Sequence, residues 1–141
     1  MIKKVFVDTD IILDLALARK PFLKASHAVL SLLENNIALA YVSSNCIANI
    51  YYVLRKAGGD KKAREFITCL LKYLTVISIE HYDVINGLKS NISDFEDALQ
   101  HYSAVRNQCD CIITRNIEDY KNSMINVYSP IEFLNLYKEK L

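Results

Sequence analysis

Short, mostly apolar runs separated by longer stretches with helical periodicity are the feature that most constrains how this chain folds. The runs occupy residues 4–7, 37–42, 75–79, 111–113 and 127–128, and several are rich in β-branched side chains. Between them, apolar residues recur every three or four positions, as on one face of a helix. Buried strands that alternate with helices predict an α/β fold, in which a parallel sheet is covered by helices on both faces.

Capping residues and helix breakers mark the ends of the predicted helices. Polar residues at 43–45 are suited to cap a helix that continues to Lys56 and stops at the following glycines. Ser129 and Pro130 open the last helix in a similar way. In chain order, the predicted helices span residues 10–19, 22–33, 44–56, 60–74, 81–88, 94–106 and 130–138.

The composition predicts one ordered domain over residues 1–141. Apolar residues make up 52% of the chain, which contains only 3 glycines and 2 prolines and shows no repeat or linker. The 17 basic and 16 acidic residues give a net charge of +1, which argues against binding of nucleic acid through bulk charge but allows a local basic face. No apolar stretch is long enough for a signal peptide or a membrane span, so a cytoplasmic protein without membrane contact is expected.

The 4 cysteines do not form a zinc-binding pattern. Only Cys109 and Cys111 are close in sequence, and their spacing differs from that of zinc ligands. Three of the four lie among apolar neighbours, so buried, reduced thiols are predicted.

Acidic residues lie where predicted strands end and helices begin. Asp8 ends the first strand. Asp94 with Asp97, three residues on, fits a helix-capping pattern, and Asn116 with Asp119, after the fourth strand, fits the same pattern. Capping does not account as well for Asp8, because a buried strand end offers it little water and no basic partner close in sequence.

If the first and fourth strands are neighbours, these acids would lie close together and form one site. Asp8, Asp97 and Asp119 would then meet at the carboxyl edge of the sheet, where ligands bind in folds of this type. Clustered carboxylates repel one another unless a divalent cation neutralises them. Oxygen ligands without His or Cys suit Mg²⁺ or Mn²⁺, and such an ion polarises a phosphodiester and activates water. A metal-dependent phosphodiesterase is therefore predicted, provided that these carboxylates converge.

Four segments, in this order, resemble the PIN domain family over about residues 4–134. They are VFVDTDIILDL, YVSSNCIANIYYVLRK, SDFEDALQHYSAV and CIITRNIEDY. The resemblance implies a three-layer α/β/α sandwich with a central, mostly parallel sheet of four to five strands. It also implies a ribonuclease that uses Mg²⁺ or Mn²⁺. Many bacterial members of the family are similar to the toxins of toxin–antitoxin pairs, so a small antitoxin partner and a homodimer are expected.

The resemblance also implies which residues form the metal site. Asp8 would be the first metal ligand and Asp97 the principal later one, and Asn116 and Asp119 would complete the site after the fourth strand. The three aspartates would be the catalytic residues, and Thr114 would support them with its hydroxyl group. Further auxiliary positions are Asp10, Asn49 and Asp94, the last of which is either a ligand or only a helix cap.

Two neutral residues depart from the family pattern. Many members carry Glu where this chain has Asn49, and some carry Asp where it has Asn116. Each change removes a negative charge from the expected site, whereas Asp10, where Asn is commoner, adds one. Two functions therefore stay open, an active ribonuclease and a catalytically weakened module that binds RNA or protein.

Basic residues suggest where RNA phosphates would bind. Arg115 directly follows the fourth strand, beside the expected metal site, and is the best single phosphate contact. Arg55 and Lys56 belong to a second basic cluster around the Gly58–Gly59 turn, which is either an RNA-binding rim or a solvated helix end.

A phosphatase of the haloacid dehalogenase type is a third alternative. Asp8 and Asp10 form the D-x-D pair that follows the first strand in that family. However, Ile12 stands where a hydroxyl side chain is usual, and the later lysine and paired aspartates are missing. The nuclease prediction is therefore preferred.

Overall fold

The computed structural model describes residues 2–138, which form five strands, seven α-helices and one short 3₁₀-helix. The strands are β1 (Lys4–Val7), β2 (Leu39–Ser43), β3 (Leu74–Ile77), β4 (Cys111–Ile113) and β5 (Asn126–Tyr128). The helices are α1 (Thr9–Ala16), α2 (Leu23–Glu34), α3 (Ser44–Gly58), α4 (Asp60–Leu70), α5 (His81–Lys89), α6 (Phe95–Arg106) and α7 (Pro130–Lys138). The 3₁₀-helix, Ile117–Tyr120, connects β4 to β5. Within these residues, no helix is both long and apolar enough to cross a lipid bilayer.

All five strands of the described sheet are parallel and follow the order β3-β2-β1-β4-β5. β1 therefore lies at the centre, where Val5 pairs with Ala40 of β2 on one side and with Cys111 of β4 on the other. The predicted parallel sheet is confirmed, and the first and fourth strands are neighbours. This order brings the residues that follow β1 and β4 to adjacent positions on one edge.

The order of the strands places the helices in two layers. β1 connects to β2 through α1 and α2, and β2 to β3 through α3 and α4, whereas β3 returns across the sheet to β4 through α5 and α6. Right-handed crossovers that run in opposite directions lie on opposite faces of the sheet. In agreement with this, α1 packs against α2 and α3, α7 packs against α2, and α5 packs against α6. The predicted three-layer α/β/α arrangement is confirmed.

The core forms on both faces of β1, whose residues Val5, Phe6 and Val7 are fully buried. Cys46, Cys109 and Cys111 are buried thiols, as predicted, whereas Cys69 is exposed. Burial raises the pKa of Cys46 to about 11 and that of Cys111 to about 12. These thiols are therefore protonated and unreactive at neutral pH.

The structure corrects the predicted limits of the first helix. α1 begins at Thr9 because the side chain of Asp8, and not that of Asp10, caps it. α1 ends at Ala16 and not at Arg19, since Ala18 adopts a left-handed backbone conformation with φ of 50°. Elsewhere the predicted limits differ from the observed ones by a few residues, as at β2, which begins at Leu39.

An ion-pair network connects the α5–α6 layer to the end of β3. Arg106, at the end of α6, places Nη2 3.0 Å from Asp83 Oδ2 and donates to the backbone oxygen of Ser78 at 2.7 Å. Its Nη1 lies 3.3 Å from a carboxylate oxygen of Glu80. Asp83 is only 2% exposed, so its charge depends on this guanidinium.

Replacing Arg106 with Met should lower the free energy of unfolding by about 3 kcal/mol, because it leaves the buried Asp83 carboxylate without its cation. Urea denaturation followed by circular dichroism measures the effect. Arg64→Met is the matched control, since Arg64 makes a similar ion pair with Asp60 that is exposed to solvent. That variant should change stability little. Equal losses of stability in the two variants would contradict the conclusion that the charge of Asp83 depends on Arg106.

Candidate active site

Asp8 is fixed at the point where β1 ends. Its backbone N–H donates to the oxygen of Ile113 at 3.0 Å, which extends the pairing of β1 with β4 by one residue. Its carboxylate accepts hydrogen bonds from the N–H of Thr9 and from Oγ1 of Thr114, both at 2.8 Å. The residue is 6% exposed. Asp8 therefore holds one orientation at the carboxyl edge of the sheet, as the sequence predicted.

The charge of Asp8 is poorly stabilised by its surroundings. Burial, together with the carboxylates of Asp10 and Glu96, raises its pKa to about 6. The two hydrogen bonds from Thr114 and Thr9 lower the pKa and only partly oppose this rise. Within residues 2–138, no lysine or arginine forms an ion pair with this carboxylate. A buried acid without a cation is unusual and is typical of functional sites.

Asp97 lies in the first turn of α6 and faces the same edge. Burial, together with the charges of Asp8, Asp94 and Asp119, raises its pKa to about 7. The buried hydroxyl of Tyr120 donates to Asp97 Oδ1 at 3.3 Å. The fold therefore brings Asp97 into electrostatic range of the other two predicted catalytic aspartates.

Asn116 and Asp119 follow β4 in the 3₁₀ segment, as the strand order requires. The side-chain amide of Asn116 donates to the carboxylate of Asp10, which ties a predicted metal ligand to a predicted auxiliary position. Asn116 therefore does not cap the 3₁₀-helix with its side chain, and the expected capping pattern at Asn116 is wrong. Its backbone oxygen instead accepts from the N–H of Asp119 at 3.1 Å.

Glu96 is a component of the site that the sequence prediction missed. Nδ2 of Asn49, in α3, donates to Oε1 of Glu96 at 2.8 Å, and the charge of Glu96 acts on Asp8. Asn49, where the family pattern has a charged residue, thus holds a carboxylate that comes from α6. The neighbouring acids Asp94 and Asp97 were the available signal, but the contact between residues 49 and 96 is not visible in the sequence.

The role of Asp94 as a helix cap is confirmed. Its carboxylate accepts a hydrogen bond from the N–H of Asp97 at 2.9 Å, and its backbone has the extended conformation usual for an N-cap. The cap fixes the first turn of α6 and so positions both Glu96 and Asp97.

The predicted phosphate contacts lie in different places. Arg115 flanks the acidic edge, but its Nε lies 3.0 Å from Oδ2 of the buried Asp14, and its guanidinium stacks over the ring of Phe22 at 4.0 Å. Arg55 and Lys56 lie in the last turn of α3, about 17 Å along the helix axis from its start at the carboxyl edge. The structure therefore does not bring Arg55 and Lys56 to the acids.

The donor set fits a hard divalent cation by its chemistry. The groups that face the edge are carboxylates and amides. Burial and the repulsion between carboxylates raise the pKa of Asp8 and Asp97, and a bound cation would offset both effects. In the described part of the chain, no three His, Cys, Asp or Glu side chains already lie close enough together to hold a metal ion. The arrangement is thus an open acidic edge and not a closed coordination shell.

Comparison with known sequences identifies related proteins. The sequence pattern of the PIN domain matches residues 4–118. A curated relative, "Ribonuclease VapC1" of Aquifex aeolicus (strain VF5), is 32% identical over 137 residues, which cover 93% of each chain.

Solved structures with the same fold include toxin–antitoxin proteins. FitAcB from Neisseria gonorrhoeae superposes with a TM-score of 0.70 and 14% identity, covering 90% of this chain and 98% of that one. VapBC2 from Rickettsia felis, bound to a DNA fragment from its promoter, gives a TM-score of 0.68 and 17% identity, covering 89% of this chain and 98% of that one. VapC20 of Mycobacterium tuberculosis, a toxin that cleaves the sarcin–ricin loop, gives 0.62 and 13%, covering 77% and 86%. At these identities the likeness shows the fold alone.

Removing one charge from the edge should stabilise the metal-free protein. The pKa of Asp97 is raised from 3.8 to about 7. The contribution of this residue to the free energy of unfolding is therefore fully present below pH 4 and is lost as the pH rises through 7. Asp97→Asn abolishes this loss. At pH 8 in EDTA the variant should therefore be more stable than the wild type by roughly 1–3 kcal/mol, and at pH 4 the two should be equal.

Urea denaturation of both proteins at several pH values tests this expectation. Glu65→Gln is a suitable control, since it removes one negative charge from an exposed position on α4, and it should change the stability little at either pH. A variant Asp97→Asn that is less stable than the wild type at pH 8 would contradict the account of repulsion.

Proposed function

Since the chain belongs to the PIN domain family, we propose that it is a ribonuclease that cleaves RNA phosphodiester bonds with the help of Mg²⁺ or Mn²⁺. The observation that carries the proposal is the pair of poorly compensated acids at the carboxyl edge, Asp8 and Asp97, whose pKa values are raised to about 6 and about 7. The 32% identity to a protein named as a ribonuclease supports the same activity.

The proposed site has Asp8, Asp97 and Asp119 as the acidic ligands, with Asn116 beside them. A bound divalent ion would supply charge neutralisation and a more acidic water at the scissile phosphate. The protein contributes the orientation of the acids. Thr114 and the N–H of Thr9 fix the carboxylate of Asp8, and the hydroxyl of Tyr120 holds that of Asp97.

We assign Glu96 to this site as the carboxylate that takes the place of an acid at position 49. The amide of Asn49 lies 2.8 Å from Glu96 and fixes an otherwise exposed side chain against the edge. The negative charge expected from α3 is thereby provided from α6. Asn49 is a positioning residue in this arrangement.

We further propose that the protein acts in the cytoplasm as the toxin of a toxin–antitoxin pair, in which a small antitoxin and a second copy of the chain are its protein partners. Residues 1–141 would form a single domain. The proposal is supported by solved structures of the same fold that contain both a toxin and its antitoxin, among them a complex from Klebsiella pneumoniae with a TM-score of 0.68.

Asp8→Asn should reduce metal-dependent RNA cleavage at least about a hundredfold, because it removes a fixed carboxylate ligand but keeps a side chain that caps α1. Cleavage of a labelled single-stranded RNA in Mn²⁺ measures the loss, and EDTA should abolish the wild-type activity. Glu118→Gln, an exposed acid in the 3₁₀ segment, is the matched control and should cleave normally. Full cleavage by Asp8→Asn would refute the role of Asp8. Hydrolysis of p-nitrophenyl phosphate by the wild type would instead favour a phosphatase.

Glu96→Gln should weaken Mn²⁺ binding about tenfold, because it keeps the contact with Asn49 but loses the charge. In the double variant Asn49→Glu, Glu96→Gln, the charge moves from α6 to α3, and most of the affinity should return. Isothermal titration calorimetry measures both effects without any need for activity. Unchanged affinity in Glu96→Gln would show that Glu96 is not part of the site.

A further inference from the structure

A cavity of about 340 Å³ lies next to the acidic edge and is not used by the proposed metal site. It is lined in part by Asp14, Phe22, Ser26, Arg115, Pro130 and Ile131. Arg115 directly follows Thr114, which donates to Asp8, and Pro130 lies just beyond the carboxyl end of β5. β1, β4 and β5 are consecutive in the sheet, and neighbouring strands are about 4.8 Å apart. The ends of β4 and β5 that border the cavity therefore lie about 5–10 Å from the end of β1, which carries Asp8.

The cavity contains a polar group for which the fold supplies no partner. Ser26 is fully buried, and its hydroxyl has no hydrogen-bond partner among residues 2–138. Asp14 is also fully buried beside it, with its charge balanced by Arg115 at 3.0 Å and Arg19 at 3.8 Å. Buried hydroxyl groups normally form a hydrogen bond, so the hydroxyl of Ser26 is able to bond a polar group in this cavity.

One wall of the cavity is flat. The guanidinium of Arg115 lies over the ring of Phe22, with 4.0 Å between Cζ and the ring centroid. Phe22 is 37% exposed, and Pro130 and Ile131 also line the cavity. Unpaired RNA bases stack on aromatic rings and on guanidinium planes of this kind.

The charge around the mouth of the cavity favours a polyanion over an apolar peptide. Residues 15–33 contain no Asp or Glu but include Arg19, Lys20 and Lys24. Lys20 and Lys24 are exposed, and both line a neighbouring surface depression that shares Pro21 with the cavity. These cations would attract the phosphates of a strand that also reaches the acidic edge.

We propose that this cavity binds an unstacked base of the RNA strand, one to three nucleotides from the phosphate that is cleaved. Phe22 and Arg115 form the stacking wall, and Ser26 supplies a hydrogen bond to the edge of the base. The proposal rests on the proposed ribonuclease function and adds to it the site at which the protein recognises the RNA sequence. One to three nucleotides span this separation of the strand ends, because nucleotides of a helical strand are about 3.4 Å apart along its axis and lie further apart where a base is unstacked.

The test compares the base preference of the wild type with that of Phe22→Ala and Ser26→Ala. Each protein cleaves a randomised single-stranded RNA library in Mn²⁺, and the products are sequenced. The wild type should prefer particular bases at one position within three nucleotides of the cut. In both variants this preference should fall about tenfold, the size of the loss of one stacked or paired base. The preference is a ratio within one reaction, so it does not depend on the fraction of protein that is folded.

Ser31→Ala is the matched control, since Ser31 lies on the same helix but does not line the cavity. Unchanged preference in Phe22→Ala and Ser26→Ala, with cleavage intact, overturns the base-binding site and leaves the ribonuclease function standing. The base-binding site is likewise overturned if these variants keep their preference but lose affinity for a partner protein. If the wild type cleaves no RNA at all, the proposed function fails, and the base-binding site fails with it.

Discussion

The position of Asp8 at the end of the central strand is the constraint on which the rest of the site depends. Its backbone continues the pairing of β1 with β4, and its side chain is held by Thr9 and Thr114. One carboxylate oxygen therefore caps α1, while the other is bound from the segment that follows β4. The other acids are arranged around this fixed group, because the first turn of α6 and the 3₁₀ segment both lie at the same edge of the sheet.

Buried charges in this protein fall into two groups that differ in their partners. Asp14 and Asp83 are buried beside arginines, and they connect parts of the fold that are distant in sequence. Asp8 and Asp97 lie close to further carboxylates, and within residues 2–138 neither makes an ion pair with an arginine or lysine. The charge of each acid in the first group is balanced within the fold, whereas the acids of the second group destabilise the fold until a cation or a proton neutralises them. The second group therefore marks the functional edge.

Local sequence patterns were sufficient to predict the layers, the parallel sheet and the location of Asp8, since each rests on apolar spacing or on the end of a strand. Contacts made by polar side chains across long sequence distances could not be predicted. Asn49 meets Glu96, and Arg115 meets Asp14, only after helices from different layers or segments have packed. The position of Arg55 was also beyond local reasoning, because it depends on the direction in which α3 runs away from the edge.

The central claim, that one divalent ion binds among the carboxylates at the carboxyl edge, is tested most directly by crystals of the wild-type protein soaked in Mn²⁺. An anomalous difference map locates the manganese without reference to activity. The account predicts a single strong peak in contact with carboxylate oxygens of Asp8 and Asp97. A map without a peak at this edge, or with its strongest peak at other residues, would contradict it.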